Sequence, residues 1–165
     1  MAIRDLIKNI SKRVPQNFVL ETLSIYDIYN SSEKFFEEHF RGAVEISSDI
    51  ECEGFVSASA SGVAYFFRLL LEHIFGDGVL HIKMQTNNYK FIISAEFSIE
   101  REMDSKTKAS LENVARVSGF DLIFSKNGKI TSVVASFNMR ATQSVPIYAR
   151  GAKLMSLAYV DVFFY

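Results

Sequence analysis

Residues 61–97 read SGVAYFFRLLLEHIFGDGVLHIKMQTNNYKFIISAEF. Val63, Phe66, Phe67, Leu70, Leu71 and Ile74 recur at three- and four-residue steps, the spacing of one helix face, and Gly76-Asp77-Gly78 ends the pattern. The period then changes. Leu80, Ile82 and Met84 alternate with His81, Lys83 and Gln85, Asn87-Asn88 turns the chain, and Phe91, Ile93, Ala95 and Phe97 alternate with Ile92, Ser94 and Glu96. A buried helix is therefore followed by a β-hairpin with one apolar and one polar face.

The flanks extend this unit in both directions. Upstream, Ile25, Ile28, Tyr29, Ser32, Phe35, Phe36, His39 and Phe40 form the stripe of a long helix ended by Gly42. Val44, Ile46, Ser48 and Ile50 alternate as a half-buried strand, Phe55 and Val56 make a second short one, and Ser59 or Ser61 caps the next helix. Downstream, Asp104-Ser105 caps a third helix carrying Leu111, Val114, Ala115 and Ser118, stopped at Gly119. Phe120, Leu122 and Phe124 lead into the turn signal Asn127-Gly128, and Val133, Ala135 and Phe137 return. At the ends, Ile3, Leu6, Ile7, Ile10 and Val14 predict a basic amphipathic helix closed by Pro15, and Ala158, Val160, Val162 and Phe164 predict a last strand. The pattern is that of an α+β fold: a two-layer α/β sandwich whose mixed, mostly antiparallel sheet carries about three helices on one face.

Composition agrees. A chain of 165 residues with 48% hydrophobic and 22% charged residues is a folded single domain, read as an N-terminal helix (1–16), a core (17–140) and a C-terminal extension (141–165). Fifteen Phe and seven Tyr without Trp are an aromatic excess whose place is between sheet and helices. Cys52 is the only cysteine, so no disulfide forms within the chain, and a small buried or half-buried role is expected for it. The charged N-terminus lacks a signal-peptide core, and the apolar runs at 63–71 and 157–165 fall short of the roughly 20 residues that span a bilayer. A soluble, cytoplasmic protein is expected. A net charge of -1 gives no reason to expect DNA as a partner.

The order helix, strand, capped helix, hairpin, helix, hairpin resembles the ATP-binding domain of histidine kinases and their relatives in the gyrase and heat-shock chaperone superfamily. Leu23-Ser24-Ile25-Tyr26-Asp27-Ile28 is similar to the entry into that domain's first helix. Val63 to Phe75 stands in place of the helix that bears the magnesium-binding asparagine, and Val79 to Phe97 in place of the hairpin that follows. Leu111 to Phe120 with the next hairpin is similar to the closing helix, Gly and two strands. The likeness covers roughly Leu23 to Asn138 and implies the histidine-kinase-type ATPase fold.

The motifs that carry the family's chemistry are missing. Leu71-Glu72-His73-Ile74 replaces the asparagine region, an imidazole standing where the family has an amide oxygen for Mg²⁺. Phe97-Ser98-Ile99-Glu100-Arg101-Glu102-Met103 contains neither the adenine-binding Asp nor a Gly, and Lys106-Thr107-Lys108-Ala109-Ser110 replaces the phosphate-cradling glycines. The six or seven residues between strand and helix leave no room for an ATP lid. The resemblance with these losses implies a non-catalytic signalling or regulatory protein-interaction module in bacterial signalling, without cofactor, acting as a dimer or on another protein.

Residues remain for two other readings. Glu72, His73 and Glu96, with Glu100, are the candidate groups of a residual nucleotide or metal site, which as a divergent nucleotide-binding kinase or ATPase would use ATP and Mg²⁺. An unrelated two-layer ligand-binding domain is the third reading. His39 is expected at the core edge and His81 in solvent. Charge is also divided: residues 1–103 carry ten Lys and Arg against fifteen Asp and Glu, net -5, and 104–165 carry eight against four, net +4. Lys106, Lys108, Lys126, Lys129, Arg140, Arg150 and Lys153 are candidates for a basic interaction surface, and the opposed halves permit head-to-tail self-association.

Overall fold

The computed structural model describes residues 18–74, 78–98 and 102–140. The expected N-terminal helix over 1–16 and last strand over 158–164 lie outside the described residues.

Local chemistry starts each element where the side chains demand it. Strand β1 (Glu21–Ser24) runs into helix α1 (Ile25–His39), whose N-cap Ser24 accepts a hydrogen bond from the Asp27 amide. Phe40 caps its end, and Gly42 turns the chain at φ 86°. Strands β2 (Val44–Asp49) and β3 (Phe55–Ala58) follow, then helix α2 (Ala60–Ile74), where the Ser59 hydroxyl accepts from the Gly62 amide at 3.0 Å. The hairpin β4 (Leu80–Asn87) and β5 (Lys90–Ser98), helix α3 (Ser105–Ser118) and the hairpin β6 (Asp121–Asn127) and β7 (Ile130–Arg140) complete the order. Asp104 caps α3, and Gly119 ends it in the left-handed region at φ 89°. A Cβ there would lie 2.9 Å from the Ser57 carbonyl oxygen, so both the conformation and the space require glycine.

Among the described residues three helices and a curled mixed sheet of seven strands result. The sheet order is β1-β3-β7-β5-β4-β2, with β6 beside the first part of β7. Only β2 and β4 are parallel, joined through β3 and α2; every other pair is antiparallel. One row across five strands reads Ile46, Ile82, Ala95, Val133 and Phe124, on the helix side. The next reads Glu45, His81, Glu96, Ser132 and Ser125, on the outer side. The period-2 pattern of the sequence is thus the division between core and outer face.

The aromatic excess forms the core. Phe36 meets Phe67 at 5.2 Å, Phe67 meets Phe66 at 5.6 Å, Phe66 meets Phe120 at 5.7 Å, and Phe120 meets Phe137 at 4.7 Å. Phe137 then meets Phe91 at 5.7 Å. A continuous chain of rings therefore ties α1 and α2 to the sheet, each buried ring contributing on the order of 1.5–3 kcal/mol.

Three sequence expectations need correction. The hairpin turns lie one residue later than expected: Asn88 and Tyr89 (φ 48° and 62°) are the central pair of the first, and Gly128 (φ 64°) opens the second, with Asn87 and Asn127 still paired to Lys90 and Ile130. Strand β1 was not anticipated, because four residues are too short for alternation to register. Cys52 is exposed in the loop between β2 and β3, flanked by Glu51 and Glu53, instead of buried or half-buried.

Candidate functional site

The C-terminal half of α2, the segment that leads into α3 and the first turn of α3 meet around a cleft lined by Leu69, Glu72, His73, Glu102, Asp104 and Thr107. Its described walls enclose about 180 Å³. Ligand pockets ordinarily hold about 300–1,000 Å³.

Each wall is shaped by packing. Helical spacing places Tyr65, Arg68 and Glu72 on one flank of α2. Arg68 is 4% exposed; its Nη1 donates to Glu72 Oε1 at 3.1 Å, and its Cζ lies 4.2 Å from the centre of the Tyr65 ring. Phe18 packs against that ring at 6.1 Å. A buried cation over an aromatic face with a carboxylate partner holds Glu72 toward Arg68. His73 is 8% exposed and meets the buried Phe97 ring nearly edge-on at 5.4 Å, so the last turn of α2 packs on β5 through these two rings.

The start of α3 closes the third side. The Thr107 amide donates to Asp104 Oδ1 at 2.6 Å, and this bond, with smaller effects from His73 and Lys106, holds the Asp104 carboxyl below its ordinary range. A first-turn amide that could have met an anion is therefore bound by the chain's own side chain.

The structure brings Glu72 and His73 to this cleft but not Glu96. Phe97 and Ala95 take the inward positions of β5, so Glu96 points to the outer face beside His81, in a shallow concavity of about 570 Å³ with Glu45, Lys83 and Ser94. His81 is exposed there and its Nδ1 lies 2.9 Å from Glu45 Oε2. Glu100 is outside the described residues. His39, expected at the core edge, is exposed at the end of α1, with its ring 4.9 Å from that of the buried Phe35. Among the described residues no group of three or more His, Cys, Asp or Glu is placed to hold a metal ion, and no helix is long and apolar enough to cross a membrane.

The basic residues separate into two places. Lys106 and Lys108 lie early in α3; Lys108 is 5.5 Å from the Phe124 ring, and Lys126 Nζ is 3.2 Å from Glu102 Oε1. Lys129 shares that end of the sheet. Arg140 ends β7 some ~33 Å away at the usual strand rise. Arg150 and Lys153 lie outside the described residues. Arg68 was not singled out as a site residue from the sequence, where its i, i+4 spacing to Glu72 was the available signal.

No protein-family model matches the sequence, and no curated protein matches it significantly. Solved structures do. The histidine kinase domain of the Escherichia coli osmosensor EnvZ is similar at a TM-score of 0.60 and 9% identity, over 79% of this chain and 95% of that one. Acinetobacter baumannii histidine kinase AdeS is similar at 0.56 and 11%, over 82% and 75%. Histidine kinase ThkA, in complex with the response regulator protein TrrA, is similar at 0.53 and 14%, over 85% of this chain and 47% of that one. At these identities the likeness is one of fold. With its element order and curled mixed sheet, the chain has the histidine-kinase-type ATPase fold.

Proposed function

We propose that this chain is a non-catalytic, cytoplasmic signalling module that acts by binding protein, and that the nucleotide site of its fold is closed. The single observation that carries the reading is the His73–Phe97 contact at 5.4 Å, which sets two rings against each other between the last turn of α2 and β5. Three further features support it: a cleft of about 180 Å³, a first turn of α3 capped by Asp104, and a Glu72 carboxylate committed to Arg68. On this reading the walls do not serve MgATP, which needs ring space, a metal ligand and free amides supplied together. The partner is a signalling protein, as in the ThkA complex with a response regulator, or a second copy of this chain in a bacterial cell.

Thermal melting with and without ATP and Mg²⁺ tests this. A closed site gives a flat profile across nucleotides. A Mg²⁺-dependent rise in melting temperature would instead establish a divergent nucleotide-binding enzyme using Glu72 and His73.

A further inference from the structure

We propose that the chain associates with copies of itself head to tail, the acidic β2–β3 loop of one copy seated in the lysine-rimmed groove between α3 and β6 of the next. The contact rests on the protein-binding reading above and gives it a surface and a partner.

Met103, Phe124 and Thr131 line the groove, with Lys108 on its helix rim and Lys126 on its strand rim, around about 200 Å³. That is less than an ordinary ligand pocket and enough for side chains. Lys108 Nζ stands 5.5 Å from the centre of the Phe124 ring. Lys126 reaches Glu102 at 3.2 Å, but both side chains are exposed, and a surface pair of this kind is readily exchanged for another. Lys106 in the first turn of α3 and Lys129 in the β6–β7 turn add two exposed cations. Asp104, the other acid nearby, is already engaged by the Thr107 amide. The groove therefore favours a chain that carries carboxylates.

The β2–β3 loop is such a chain. Glu51, Cys52 and Glu53 are all exposed, so two carboxylates flank one small side chain. The backbone is pinned on both sides of them: the Glu51 amide donates to Thr86 Oγ1 at 3.1 Å, and the Ile25 amide donates to the Gly54 carbonyl at 3.1 Å. A pinned tip gives up little conformational freedom on docking. Among the described residues neither Glu51 nor Glu53 is in an ion pair. The Asp27 carboxyl is held above its ordinary range by burial and, second, by the charge of Glu53, which marks a negative field at this tip.

Tip and groove lie at opposite ends of β7, since Phe55 just beyond the loop pairs with Arg140 and Lys126 of the groove pairs with Thr131. At the usual strand rise that separation is roughly 30 Å. A chain cannot fill its own groove, so the contact joins two copies through different surfaces and need not close at a dimer.

Sedimentation velocity of the 165-residue chain should show species that grow with concentration and shrink with added salt. Glu51→Lys with Glu53→Lys, and separately Lys108→Glu with Lys126→Glu, should each weaken association by at least about tenfold. A chain carrying all four changes should regain it, because the charges are exchanged and not removed; a damaged fold could not recover this way. Cys52 is the only cysteine, which makes Thr131→Cys a direct probe. Oxidised with copper phenanthroline, Cys52 of one copy should form a disulfide with the new thiol of another, a bridge closed to a single chain because the Cα atoms must lie within about 7 Å. Lys83→Cys, on the outer sheet face, should bridge far less. A wild-type chain monomeric at every concentration, a fourfold variant as weak as either pair, or equal bridging from positions 131 and 83 would each overturn the contact. None of these results touches the nucleotide melt, so failure of the contact and failure of the closed-site reading are told apart.

Discussion

The two ends of α2 solve opposite problems. At its N-terminal end the helix is pressed onto α3: a Cβ on Gly62 would lie 1.8 Å from Ser118 Oγ and 2.5 Å from Ser118 Cβ, and the Ser59 amide donates to the Ser118 carbonyl at 3.0 Å. At its C-terminal end the same helix stands over a cleft, and the side chains turned to it are a carboxylate and an imidazole. One end is closed by backbone and small side chains, and the other carries ionisable groups. The fold is shared with kinase domains at 9–14% identity, as expected where packing depends on shape and volume, which many sequences satisfy.

If that division is right, substitutions rank by end. The largest loss is expected for Phe66→Ala, which breaks the ring chain between Phe67 and Phe120: about 3–5 kcal/mol in a denaturant melt. Gly62→Ala comes next, at about 2–3 kcal/mol, because the new methyl meets Ser118 and the two helices must part. At the cleft end Glu72→Ala leaves Arg68 buried without its carboxylate and should cost about 1–2 kcal/mol, reduced by the partial exposure of Glu72. A loss there equal to that of Phe66→Ala would erase the distinction.

The smallest effect is a lowered melting temperature for Asp104→Ala, and it depends on pH. The folded state holds the Asp104 carboxyl below its ordinary value of 3.8, so its contribution is complete above that value and is lost as pH falls through the depressed one. Melting curves of parent and variant should therefore converge in acid. Curves that stay apart would mean that Asp104 acts through something other than its charge.

Much of this architecture was legible because it rests on periodicity. The inward sets Leu80, Ile82 and Met84, Phe91 to Phe97, and Leu111, Val114, Ala115 and Ser118 are buried as the spacing required. What escaped depended on distance along the chain. β1 exists because Glu21–Ser24 finds β3 more than thirty residues later, which no local pattern records. The turns shifted by one because Asn127 pairs with Ile130 across the strand ends, a register set by the sheet. The cleft was legible as a set of missing motifs, whereas its contents were not. That His73 meets Phe97, and that Glu72 turns to Arg68, follows from packing of elements separated in sequence. Glu96 was misplaced with them because position along a motif does not tell which face of β5 a side chain takes.

Strand β7 has a consequence for how the molecule is made. It is the last described strand to leave the ribosome, yet it lies inside the sheet, paired with β5 over nine residues, with β6 over seven, and with β3 through Phe55–Arg140 and Val56–Met139. The β1–β3 ribbon joins the rest of the sheet by those last two pairs alone. Until residue 140 is synthesised, β5 offers an open, apolar edge and the N-terminal ribbon has nothing to join. Contacts such as Phe36–Phe67 can form before then, but Phe91 and Phe120 meet Phe137 only once β7 is made, so closure of the sheet is a late event.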